Sequence, residues 1–156
     1  MGRKTYSATN RNAFADVSLG IRVDRATATL PQSTHSALFN VVGGRVVVTS
    51  IIGQVTTVLG AVGNIKLSSY PTTGTTSDLC IATAAGTTGA QALISIDGVP
   101  GDSCLIGTGA VQGMTTDGVI IPIGTIDLSA SASSTGSIKW TICYVPFDDG
   151  AYVTAA

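Results

Sequence analysis

From Ser36 to Tyr70 the chain repeats one pattern: runs of β-branched and other apolar residues, broken by glycine at Gly43-Gly44, Gly53 and Gly60 to Gly63. Branched side chains are stiff at χ1 and suit a pleated surface, whereas a helix crowds them against its preceding turn. Glycine supplies the positive φ of tight connections. The run Arg45 to Ile52 is apolar on both faces under strict alternation, with Val46, Val48 and Ile52 on one and Val47 and Ile51 on the other. That predicts a strand covered on both sides. Asn64 to Tyr70 alternates more cleanly, as an outer strand does.

The same reading extends in both directions. Leu19, Ile21 and Val23 alternate with polar residues, and so do Ala26, Ala28 and Leu30, predicting two extended segments that end at Pro31. Past Tyr70 come short apolar runs at Leu79–Thr83, Ala92–Ile96, Cys104–Ile106, Val119–Ile123 and Gly124–Ser129. Turn formers separate them, and Pro122 marks an edge or a bulge. The best-patterned strand is Ser137 to Pro146: Ile138, Trp140, Ile142 and Tyr144 share one face, which makes Trp140 a core anchor. A turn at Asp148-Asp149-Gly150 precedes a short terminal strand. Many short strands with regular turn signals predict an all-β chain, a sandwich or jelly roll. The organisation expected is an extended arm over residues 1–30 and a β-sandwich body over 31–156.

Composition sharpens this picture. All nine acidic residues are Asp, and Asp favours turns where Glu favours helices. Charged residues are only 11% of the chain, against about a quarter in an average globular protein. So little charge suggests a surface partly covered by copies of itself or by a partner. Five basic residues against two aspartates give the first 25 residues a balance of +3, and the remainder carries −4. The five are scattered rather than clustered, which argues against direct nucleic-acid contact. The twenty uncharged residues from Val46 to Ile65 match a membrane span in length, but Gln54, Asn64, threonines and glycines interrupt them. No membrane association is expected.

Candidate chemistry is sparse. His35 is the only histidine and reads as an exposed loop residue. Cys80, Cys104 and Cys143 match no metal or redox spacing and read as buried, unpaired hydrophobes of a protein made in a reducing cytosol. Asp148 and Asp149 are adjacent, so they lack the alternating spacing of a calcium loop. Gly43-Gly44-Arg45 lacks the context of a phosphate loop, and no Gly-x-Ser-x-Gly elbow occurs. The expectation is a protein that is not an enzyme and holds neither cofactor nor metal.

Three segments carry a family resemblance: Ala28 to Thr57, Ile121 to Leu128 and Gly136 to Ala151. Together they resemble the small β-rich virion proteins of tailed bacteriophages, of the capsid decoration or cement type. The resemblance implies a jelly-roll-like body, homotrimers, and binding to the major capsid protein on a capsid surface after synthesis in the host cytoplasm. The first 27 residues lie outside it. The arm is expected to bind the partner by adding strands to a neighbour's sheet, with Arg3, Lys4, Arg11, Leu19, Ile21, Arg22, Val23 and Arg25 as its contacts. A tail-fibre or adhesin module that binds a receptor or glycan is the alternative.

Overall fold

The computed structural model describes residues 19–60, 63–107, 109, 111, 115 and 117–156. The strands are β1 (Ile21–Asp24), β2 (Ala28–Thr29), β3 (His35–Val42), β4 (Val46–Thr57), β5 (Asn64–Pro71), β6 (Ser77–Asp78) and β7 (Thr83–Ala84). They continue with β8 (Leu93–Ser95), β9 (Leu105–Gly107), β10 (Val119–Ile121), β11 (Gly124–Ala130), β12 (Ser137–Pro146) and β13 (Tyr152–Ala155). Two antiparallel sheets pack into a β-sandwich, as the pattern predicts. One sheet runs β1-β12-β4-β8-β9, with β10 also on β4 and β2 also on β12; the other runs β13-β3-β11-β5-β6, with β7 also on β5. We call them sheet A and sheet B. Among the described residues, no helix is long and apolar enough to cross a membrane, and Val46 to Ile65 spans β4 and the start of β5.

The centre of sheet A is the β4–β12 pair. Ile138, Trp140, Ile142 and Tyr144 all point inward and are buried, as their alternation predicts. Across from Trp140 stands Gly53. A Cβ on Gly53 would lie 2.9 Å from two atoms of the indole ring and 3.0 Å from Ile138. The bare backbone of Gly53 is therefore the floor on which the indole rests, a recognised use of glycine within a strand.

β4 corrects the expectation of a strand covered on both faces. Cys143 pairs with Ser50 and Tyr144 with Val48, so Thr49 has no opposite number. Ser137 pairs with Thr57 and Ile138 with Val55, leaving Thr56 in the same position. Each is a β-bulge, and each re-phases the strand by one residue. Val46 and Val48 lie inward before the first bulge, and Ile51 and Val55 lie inward after it. Val46, Val48, Ile51 and Val55 thus share the inner face, while Val47 and Ile52 stay half-buried on the outer one. Both bulge residues are threonines whose hydroxyls are 3.1 Å from a β12 carbonyl, Thr49 to Cys143 and Thr56 to Ser137. Hydroxyl bonds thereby compensate for the ladder that the bulge interrupts.

Sheet B supplies the facing half of the core. Phe39, Val41, Ile65, Leu67, Ile126, Leu128 and Val153 are buried against the inner row of sheet A. The run Leu79–Thr83 is not the strand its composition predicts. Leu79 and Cys80 are buried but lie between β6 and β7, their ladder replaced by single bonds such as Leu79 N–H to the Leu67 carbonyl at 2.8 Å.

Residues 21–30 belong to the same sandwich. β1 pairs with β12 through Ile21↔Tyr144 to Asp24↔Thr141, and β2 pairs with β12 through Ala28↔Ile138. The Arg25 N–H donates to the Trp140 carbonyl at 2.8 Å, Val23 packs on the core, and Leu30 is buried within it. The boundary expected at residue 30 therefore does not coincide with any edge of the core. The strand addition expected onto a neighbour occurs here within the chain, because β12 presents an edge that β1 and β2 match in register.

Replacing Gly53 by alanine drives a methyl group into a buried, rigid ring, and overpacking of this kind costs about 1–3 kcal/mol. Urea unfolding of Gly53→Ala followed by Trp140 fluorescence should show a midpoint lowered accordingly, with the slope unchanged. An unchanged midpoint would mean that the indole does not rest on Gly53.

Candidate functional site

The outer face of sheet A carries an apolar row where the sandwich pattern calls for polar residues. Val145 on β12 pairs with Val47 on β4, and Val47 pairs with Ile120 on β10. These three alternate with inward-facing Tyr144, Val46 and Ile121, so they stand side by side on the outside. Val145 is 43% exposed and Ile120 53%, with Val47 half-buried between them. Leu19, 40% exposed, joins the row at its β12 end. Gly20, at φ +85°, lets the chain lie against the Tyr144 carbonyl and the Val145 side chain, where a Cβ would collide with backbone. The Leu19 carbonyl then accepts from the hydroxyl of bulge residue Thr49 at 2.5 Å. The bulge thus serves the surface as well as the core: it holds the entering chain beside Val145.

Beside Val145 and Val47, where β12 ends and β4 begins, sits a charged clamp. Arg45 donates through Nε and Nη2 to the two oxygens of Asp148, at 2.9 and 2.8 Å, and its backbone N–H reaches Asp148 at 2.8 Å. The guanidinium lies 4.7 Å above the ring of exposed Phe147. Asp148 is therefore spoken for by Arg45, and its carboxyl is held down to about 2 by that side chain and then by the backbone N–H.

The residues expected to form the partner-binding arm are distributed unevenly. Arg3, Lys4 and Arg11 lie outside the described residues. Leu19 and Ile21 are exposed. Arg22 is engaged by Asp24 of its own strand at 2.9 Å, and Asp24 also accepts the Thr141 hydroxyl at 2.6 Å. These bonds, that from Arg22 first, lower the Asp24 carboxyl. Val23 faces the core rather than a partner, because it sits opposite inward-pointing Ile142. Arg25 is half-buried, with an Nε shielded from solvent. Leu19 and Ile21 are presented outward, and so is Arg22, although its guanidinium is held by Asp24.

The outer face of sheet B is polar and holds a further arrangement that sequence reasoning missed. His35 opens β3 rather than lying in a loop, and its Nδ1 is hydrogen-bonded at 2.8 Å to Asp127 Oδ2, from β11. The Asp127 side chain is only 6% exposed although it points away from the core. The His35 ring stacks on Tyr70 at 4.7 Å and 7°, reaching across β11 from β3 to β5 and roofing the carboxylate. Beside it Ser68 donates to Asp78 at 2.9 Å, and Lys66 pairs with Asp78. Histidine held by a buried carboxylate is the orienting half of a general base. Catalysis also needs a group for it to activate, and among the described residues no side chain bonds the other imidazole nitrogen. Nor do the described residues contain a group of three or more potential metal ligands.

No family model, curated protein or solved structure matches this chain.

The clamp makes a pH prediction. Asp148 is depressed in the folded protein, so its stabilising effect is complete above the ordinary carboxylate range and is lost as pH falls through about 2. In Arg45→Gln the Asp148 carboxyl, followed by NMR, should return to the ordinary range of about 4. A carboxyl that still titrates near 2 in that variant would show that Arg45 is not what holds it down.

Proposed function

We propose that this chain is a structural virion protein of a tailed bacteriophage, a decoration or cement protein that binds the capsid shell without doing chemistry. In this reading the sandwich is a jelly-roll-like scaffold, and the outer face of sheet A is what meets the shell. The observation that carries the contact assignment is the row Leu19, Val145, Val47 and Ile120, apolar and outward on a chain with only 11% charged residues. Apolar side chains standing contiguously on a sheet exterior mark an interaction surface, whereas scattered ones do not. The phage assignment itself draws on the resemblance of the Ala28–Thr57, Ile121–Leu128 and Gly136–Ala151 segments. Homotrimers on the particle would multiply a modest contact into firm attachment.

A receptor- or glycan-binding module of a tail fibre is the second reading. It is favoured by the His35–Tyr70 stack above Asp127, an aromatic surface ringed by Lys66, Ser68 and Asp78.

The two readings use opposite faces, so one experiment separates them. The pair Val145→Asp and Ile120→Asp, both on exposed positions, should leave the fold intact and weaken binding to undecorated capsids by at least about tenfold, the loss of a small hot spot. Tyr70→Ala should leave capsid binding unchanged. Capsid binding unaffected by the two aspartates, or an antibody label that sits on tails rather than heads, would overturn the proposal.

A further inference from the structure

Cys80 and Cys104 belong to different sheets' margins and meet in the interior. Cys80 follows β6 at the edge of sheet B, and Cys104 precedes β9 at the edge of sheet A. Between them the two margins are tied by hydrogen bonds. Ile81 donates to the Asp102 carbonyl at 2.9 Å, and Ile81 and Ser103 form an isolated parallel bridge. The Cys104 N–H is fixed by the Thr83 hydroxyl at 2.9 Å, and the Leu67 N–H points to the Cys80 sulfur at 3.4 Å. Both side chains are buried, and each thiol shifts the titration of the other, as neighbouring sulfurs do. Cys143 is far from this pair in the sheet, on β12 opposite Arg22.

We propose that Cys80 and Cys104 are a cross-link site, which closes into a disulfide in an oxidising medium and staples the edge of sheet B to the edge of sheet A. The region so closed, Ile81 to Ser103, holds only the short strands β7 and β8. A covalent tie there restricts the unfolded chain and prevents the two margins from parting.

The chemistry balances with a low-molecular-weight disulfide as oxidant. Cys80 loses its proton and attacks one sulfur of that disulfide, which leaves as a thiolate and gives a mixed disulfide on Cys80. Cys104 then loses its proton and attacks the Cys80 sulfur, expelling the second thiolate. Two protons and two electrons have left the protein, and one small disulfide has become two thiols. Local opening at the sandwich margin admits the oxidant.

The test uses the native full-length protein and its Cys143→Ser variant, each incubated with oxidised glutathione and then alkylated in denaturant without reductant. The expected mass shows the loss of two hydrogens, one alkylated cysteine in the wild type and none in the variant, and a peptide linking Cys80 to Cys104. The melting temperature should rise on oxidation and fall back with dithiothreitol. Full alkylation of Cys80 and Cys104, glutathione retained on either, or a linkage through Cys143 would each overturn the proposal.

Discussion

The indole of Trp140 lies on the bare backbone of Gly53, and the long β4–β12 ladder holds that contact in register. Truncating a buried tryptophan costs about 3–5 kcal/mol, a large share of the whole stability of a domain this size. The two bulges in β4 sit on either side of this contact, at Thr49 and Thr56. Without them, strict alternation would send Ile51 and Val55 away from the side of Val46 and Val48, and no single inner face would exist for the indole to join. The first bulge also has an outward consequence: Thr49 holds the Leu19 carbonyl and sets the entering chain beside Val145. Core packing and the exposed apolar row therefore have a common cause.

What the sequence made legible follows from which interactions are local in pattern. β12 keeps perfect phase from Ile138 to Tyr144, so alternation assigned its inner face and its bounds correctly. β4 broke the same rule because a bulge inserts one residue and reverses every face beyond it; only the partner strand reveals where. Leu79 and Cys80 looked like strand because they are apolar, but burial came without a ladder. The polar site was invisible for a different reason. His35 and Asp127 are 92 positions apart, and Arg45 and Asp148 103, so no spacing rule connects either pair. Only the order β3-β11-β5 places His35 and Tyr70 on either side of Asp127.

The segment from Leu19 to Leu30 shows how one pattern serves two purposes. Alternation at Ile21, Val23, Ala28 and Leu30 reads equally as an arm reaching for a neighbour or as edge strands of the chain's own sheet. β12 decides, because its exposed edge is near in space and matched in register, so pairing within the chain needs no partner. What remains for contact is the part of the segment that the core does not consume, above all Leu19, next to an apolar row contributed by three other strands.

Hydrogen–deuterium exchange on the protein free and bound to capsids tests this most directly. Binding through the outer face of sheet A predicts added protection in peptides covering residues 19–24, 118–121 and 143–147, with no change around His35 and Tyr70. Protection centred on His35, Tyr70 and Asp127 instead, or none anywhere on bound particles, would contradict it.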